Sequence, residues 1–146
     1  MQVLHNFDGV VSDLDGVFFH GGRIQDGTKD FVDAVRMSGR KITFASNGTG
    51  GPQAVVDKFA LGGIDVSLQD VVTAGCETAR YLAELQWQSK DDMRFLMLTS
   101  GDMKKECMTR GVRQLLTQDD VWDAGEGRWI AKHDPTHLVV SRHDYR

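Results

Sequence analysis

Hydrophobic residues occur in short clusters separated by polar and glycine-rich stretches, and the clusters alternate between two periods. Val10-Val11-Ser12 is a brief apolar run closing in Asp13-Leu14-Asp15-Gly16, the pattern of a buried strand feeding a turn. Between Thr28 and Ser38, Phe31, Val32, Ala34, Val35 and Met37 recur along one helical face, and Gly39 stands where a C-cap glycine belongs. Residues 41–46 (KITFAS) predict a second strand, closed by Asn47-Gly48. Pro52 then opens a helix carrying Ala54, Val55, Val56, Phe59 and Leu61, which Gly62-Gly63 ends. Val71-Val72-Thr73 predicts a third strand, followed by a helix over about 77–85. Residues 94–99 (RFLMLT) predict a fourth strand, 103–110 a helix stopped by Gly111, and Leu138-Val139-Val140 a last strand.

Strands separated by helices of this length imply right-handed βαβ units. The expected fold class is α/β, a Rossmann-like parallel sheet flanked by helices. Ligands of such sheets bind beyond the carboxyl ends of the strands, so the residues at those ends are the candidates for chemistry. No internal repeat, low-complexity tract or long linker interrupts the pattern; Gly125-Glu126-Gly127 reads as a loop tip.

Composition narrows the choice. A length of 146 residues is one domain's worth of chain, and 40% hydrophobic with 26% charged residues excludes a disordered or fibrous protein. No apolar run approaches the roughly eighteen residues that span a bilayer, so no membrane partner is expected. The first eight residues lack the basic-then-apolar order of a signal peptide, and two cysteines, Cys76 and Cys107, suit a reducing cytoplasm. A net charge of −4 argues against a nucleic-acid partner. The acids are seventeen Asp against four Glu, a bias toward loops, caps and metal sites.

The first strand end carries the strongest chemical signal. Asp13 and Asp15 are two apart on an extended chain, so both carboxylates face one side while Leu14 turns away. Like charges held that close need a cation or a shared proton. Hard carboxylate oxygens suit Mg²⁺, and a pair also lets one carboxylate attack while the other moves protons. Gly16 allows a sharp turn beside a ligand. In a chain with sixteen Gly and seventeen Asp these four letters say little alone. At the next strand end, however, Ser46 and Asn47 can donate hydrogen bonds to an anion; the plainer reading makes them a turn, or a helix cap with Asn47 or Thr49 as capping residue. Both clusters at one sheet edge describe a phosphoryl-transfer site.

The stretch VVSDLDGVFFHGGRIQDGTKDFVDAVRMSGRKITFASNGTG, followed by VVTAGCETARYLAEL, resembles the opening of a haloacid dehalogenase superfamily phosphatase. More narrowly, it is similar to the branch of p-nitrophenyl phosphatases, phosphoglycolate phosphatases and NagD-type nucleotidases, over roughly residues 8 to 85. The resemblance implies that Asp13 is a nucleophile forming an aspartyl-phosphate, and that Asp15 is the acid and base. It implies Mg²⁺ held by the Asp13 carboxylate and the Asp15 backbone carbonyl, with Ser46, Asn47 and Gly16 around the phosphoryl group. Positioning and charge neutralisation carry most of such a transfer.

That family also uses a lysine and a late acidic motif, both after a large inserted cap. Residues from Met93 onward resemble the start of the cap, which divides the chain into an N-terminal core part, 1–88, and a partial cap segment, 89–146. On that alignment the chain stops inside the cap, without the lysine and the late motif. A rival alignment takes residues 95–102, FLMLTSGD, with Glu106, as the late acidic motif of a compact relative and Lys90 as its lysine; only residues 89–94 are then left for an intervening helix, too few for one. An unfinished sheet edge favours self-association, so a homo-oligomer is among the expectations.

Elsewhere the plainer readings prevail. His133, His137 and His143, with Asp134 and Asp144, have no regular ligand spacing and read as loop and strand-edge residues. Cys76 sits at a helix start, where a thiol can be activated, but reads first as buried packing. Asp91-Asp92 and Asp119-Asp120 read as turn and cap residues, and Trp87, Trp122 and Trp129 as packing or groove-covering residues. The expected function is Mg²⁺-dependent hydrolysis of a small phosphorylated metabolite. The alternative is a catalytically inert half-length remnant that binds phosphate or a partner chain.

Overall fold

The computed structural model describes residues 6–123, 125–129 and 134–141. They form two compact units, Met1–Ala74 and Gly75–Arg146. The division precedes the helix after the third strand, whereas the resemblance places its boundary after residue 88.

The first unit runs β1 (Gly9–Asp13), β2 (Phe19–His20), β3 (Arg23–Ile24), α1 (Thr28–Met37), β4 (Lys41–Ser46), α2 (Gln53–Leu61), a 3-10 turn at Leu68–Asp70, and β5 (Val71–Thr73). Its main sheet has the order β1-β4-β5, all parallel, with Gly9 opposite Lys41, Asp13 opposite Ala45, and Ser46 opposite Thr73. Side chains alternate across the sheet. Ile42, Phe44 and Val71 pack into one core with Val32 and Val35 of α1 and Val55 and Phe59 of α2. Two right-handed crossovers progressing in one direction place both helices on the same face. Phe44 and Phe59 are fully buried, their ring centroids 4.6 Å apart, and Phe18 and Phe19 join that aromatic cluster from the segment after β1.

The anticipated buried first strand is half right. Val10 packs against the core, but Val11 is 76% exposed. It projects from the face that neither helix covers, on a strand with no neighbour on its outer side among the described residues. The amphipathic faces are also narrower than their periodicity implied. Val32 and Val35 are buried, whereas Phe31, Met37 and Leu61 are exposed, because three short strands cover only a narrow stripe of each helix. Gly39 adopts the left-handed conformation that ends α1, as its position predicted.

The second unit runs α3 (Ala74–Gln88), β6 (Phe95–Leu98), α4 (Gly101–Thr109), β7 (Leu115–Leu116), α5 (Gln118–Val121), β8 (Trp122–Asp123), β9 (Arg128–Trp129) and β10 (His137–Val140). Its parallel sheet has the order β10-β6-β7, and β8 pairs antiparallel with β9. The core combines Ala79 and Leu82 of α3 with Phe95 and Met97 of β6, Met103 and Cys107 of α4, and Val139 of β10. Burial, with Glu106 beside it, pushes the Cys107 thiol up from its ordinary range. The sheet membership of β6 overturns the rival alignment. β6 pairs with β10 and β7, not with β1, and Asp102 lies in the first turn of α4, 3.6 Å from Lys105 at the surface. Thus α/β architecture with parallel sheets and flanking helices is observed throughout the described residues.

Candidate active site

Asp13 is the last residue of β1 and Ser46 the last of β4. Because Asp13 is in register with Ala45, Ser46 lies one step beyond it on a strand about 4.8 Å away. The two sequence-predicted clusters therefore meet at one end of one sheet. Asp13 and Asp15 are both exposed, and Leu14 between them is buried at 3% exposure, the alternation an extended chain requires. The Leu14 N–H donates to Asp13 Oδ1 at 2.8 Å, which orients that carboxylate.

The turn after Asp15 is held from several sides. The Leu14 carbonyl accepts from the N–H groups of Phe18 at 2.9 Å and Phe19 at 3.1 Å, and the Gly16 N–H donates to the Phe19 carbonyl at 2.7 Å. Gly16 has φ +83°, a conformation that a β-carbon penalises by about 1–2 kcal/mol. Burial of Phe18 and Phe19, each 3% exposed, anchors the carboxylate turn to the aromatic core. The chain then reverses through Gly21 and Gly22, at φ +57° and +80°, into the hairpin β2–β3, as the primed turns of two-residue hairpins require.

Two supporting residues escaped the sequence reading. Gln25 donates through Nε2 to the carbonyls of Gly16 at 3.0 Å and Val17 at 2.9 Å, clamping the turn from the far end of the hairpin. Its only sequence signal is a polar residue placed just after a glycine-glycine hairpin. Thr73, at the end of β5, is 2% exposed and donates from Oγ1 to the Gly50 carbonyl at 2.6 Å, tying down the loop after β4. A hydroxyl closing a third parallel strand was a signal available in the sequence.

Ser46 Oγ accepts from the Gly48 N–H at 3.0 Å, so the hydroxyl shapes the turn, as its plainer reading held. That contact uses an oxygen lone pair and leaves the O–H hydrogen as a donor. The helix-cap alternative does not hold: α2 is preceded by Pro52 at its N-cap, with no side-chain cap. Asn47 is exposed on the loop that Thr73 anchors.

None of the ion pairs among the described residues involves Asp13 or Asp15. No group of three or more His, Cys, Asp or Glu gathers among them either. The donor set at this strand end is two carboxylates and backbone carbonyls, all hard oxygen. That set fits Mg²⁺, which commonly takes one or two carboxylates and completes its shell with water and substrate phosphate oxygens.

Away from this edge, Cys76 is buried in the first turn of α3, and its Sγ accepts from Arg110 Nη2 at 2.7 Å. Asp92 pairs with Arg94 at 2.9 Å, as a turn residue. Asp120 bonds the Thr117 N–H at 2.7 Å in a capping box at α5. Trp87 is 89% exposed, so it is not a core residue. His137 contacts Thr136 Oγ1 at 2.9 Å and the Phe95 ring, in keeping with a strand-edge role. His133, His143 and Asp144, like the side chains of Asp119 and Trp129, lie outside the described residues. Among the described residues no helix is long and apolar enough to cross a membrane.

Residues 10–113 match a family model described as haloacid dehalogenase-like hydrolase. The sugar-phosphatase AraL of Bacillus subtilis is 29% identical over a match covering 77% of this chain and 46% of that protein. Among solved structures, the 4-nitrophenylphosphatase of Thermotoga maritima superposes with a TM-score of 0.68 at 22% identity, covering 94% of this chain and 46% of that one. A glycerol phosphate phosphatase of Mycobacterium tuberculosis, solved in complex with magnesium, superposes at 0.63 with 22% identity, covering 94% and 36%. The chain thus spans less than half the length of these relatives.

Proposed function

The chain belongs to the haloacid dehalogenase-like hydrolase family, and we propose that Asp13, Asp15, Ser46, Asn47 and Gly16 form a cytoplasmic phosphatase site for a small phosphorylated metabolite. The observation carrying this reading is the convergence of Asp13 and Ser46 at the carboxyl ends of adjacent parallel strands, inside the matched segment. In this assignment residues 1–88 are the N-terminal part of a hydrolase core, and residues 89–146 are a partial cap segment.

In the first step Asp13 attacks phosphorus with the carboxylate that the Leu14 N–H orients. The phosphorus–oxygen bond to the leaving alcohol breaks, and Asp15 donates a proton to that oxygen. In the second step Asp15 takes a proton from water, the water oxygen attacks phosphorus, and the bond to Asp13 breaks to release inorganic phosphate. Ser46 donates its hydroxyl hydrogen to the transferring group, and Asn47 lines the site beside it. The Asp13 carboxylate and the Asp15 carbonyl would hold Mg²⁺, which when bound neutralises charge on the phosphoryl oxygens.

One observation favours a second reading, an inert remnant that binds phosphate or a partner chain. No ion pair among the described residues brings a cation to Asp13 or Asp15. Steady-state hydrolysis of p-nitrophenyl phosphate, with and without Mg²⁺, separates the two. Metal-dependent turnover that Asp13→Asn abolishes supports the phosphatase. No turnover, with inorganic phosphate binding that Ser46→Ala weakens in a calorimetric titration, supports the remnant. Absence of both turnover and phosphate binding overturns the phosphatase reading and the phosphate-binding form of the second.

A further inference from the structure

Gln25 takes up three consecutive carbonyls of the turn that carries Asp15. Its Nε2 donates to the Gly16 carbonyl at 3.0 Å and the Val17 carbonyl at 2.9 Å, and its backbone N–H donates to the Phe18 carbonyl at 2.9 Å. The N–H side of the same turn is tied to one atom. The Leu14 carbonyl accepts from Val17, Phe18 and Phe19 at 3.3, 2.9 and 3.1 Å. Asp15 therefore stands between two anchors, Leu14 in the core and Gln25 at the far end of the hairpin. On the phosphatase reading of this strand end, on which the inference rests, we propose that Gln25 is a positioning residue for Asp15. It aims the Asp15 carboxyl group at the leaving oxygen by fixing the backbone that follows it.

Asp15 needs such a support more than Asp13 does. The Asp13 carboxylate accepts from the Leu14 N–H at 2.8 Å, whereas the Asp15 side chain has no hydrogen bond or ion pair among the described residues. Backbone alone sets its direction. The next residue is Gly16, where a β-carbon would meet nothing within 4 Å beyond its chain neighbours. Glycine has the widest backbone freedom of any residue, and no packing limits it here. The Gln25 amide supplies the limit, since one NH₂ group carries two hydrogens and serves both carbonyls at once. Gln25 is in turn placed from outside the turn. Ile24 before it packs on the core, and the Gln25 carbonyl accepts at 3.3 Å from the N–H of Thr28, the buried first residue of α1. The two-residue strands of the hairpin are too short to hold that geometry unaided.

Hydrolysis of two esters of similar shape, p-nitrophenyl phosphate and phenyl phosphate, by the 146-residue chain with Mg²⁺ tests the proposal. Phenol leaves as the more basic oxygen and depends more on a well-aimed acid. Gln25→Met keeps the side-chain length and removes both donors. It is expected to lower kcat/KM for phenyl phosphate about tenfold more than for p-nitrophenyl phosphate. Gln25→Glu, which only accepts when ionised, is expected to do the same, and Gln25→Lys, which donates, to recover most of the phenyl phosphate rate. A merely structural role would lower both esters by one factor, so an unchanged ratio overturns the proposal. Independently of turnover, amide exchange at Val17 and Phe18 should quicken in Gln25→Met while β4 keeps its protection; unchanged exchange there also overturns it. Loss of the folded circular dichroism spectrum in both Gln25→Met and Gln25→Glu would overturn it by making Gln25 part of the scaffold. A wild-type chain that hydrolyses p-nitrophenyl phosphate but not phenyl phosphate would overturn it too, by showing no acid to aim. Wild-type turnover of neither ester is a different failure: it overturns the phosphatase reading, and with it any role for Gln25 in aiming an acid.

Discussion

The two units contain sheets of the same kind that spend their strand ends differently. Each has three parallel strands, and in each small hydroxyl residues stand at strand ends or just after them. In the second unit those hydroxyls serve the helices. Ser100 caps α4 by accepting from the Met103 N–H, and Thr117 begins the capping box of α5. In the first unit α1 and α2 have no side-chain N-cap bond. Ser46 and Thr73 instead shape and anchor the loop beside Asp13. Parallel architecture alone therefore does not decide what the polar groups at the carboxyl end of a sheet do; the partners they take up there decide it.

The largest expected effects break the two cores separately. Phe44 and Phe95 are each completely buried, in clusters that share no residue. Phe44→Ala and Phe95→Ala are each expected to cost about 3–5 kcal/mol, read by denaturant unfolding. Native-state hydrogen exchange should show protection falling most in β1, β4 and β5 for the first variant, and in β6 and β10 for the second. An intermediate effect follows from Thr73→Val, which keeps the shape and removes the buried bond to Gly50. It should cost about 1–3 kcal/mol and loosen the loop carrying Asn47, seen as faster exchange at residues 47–51. The smallest effects sharpen the contrast most. Ser100→Ala should lose about 1 kcal/mol as a broken helix cap, with no change in phosphate binding. Ser46→Ala should lose less stability and reduce phosphate affinity, both read on the same protein by melting and calorimetry.

Much of this was legible because it is local. The helix stops at Gly39 and Gly111, the strands 41–46 and 71–73, and the alternation of Asp13, Leu14 and Asp15 follow from backbone conformation and period alone. The hairpin of Phe19–His20 with Arg23–Ile24 went unread, since two-residue strands carry too little period to register. Gln25 and Thr73 act on carbonyls eight to twenty-three positions away, and no local pattern encodes such a pairing.

By itself the sequence determined which residues end the strands, where the chain turns, and that two carboxylates would stand on one side of a buried leucine. Those are consequences of φ/ψ preference and side-chain alternation, which act over a few residues. Tertiary structure alone decided that Val11 faces outward, that Phe31, Met37 and Leu61 stay exposed, and that Gln25 and Thr73 hold the loops at the sheet end carrying Asp13. Each of those outcomes depends on strand order, and strand order is set by how the whole chain buries its apolar faces, not by any segment of it.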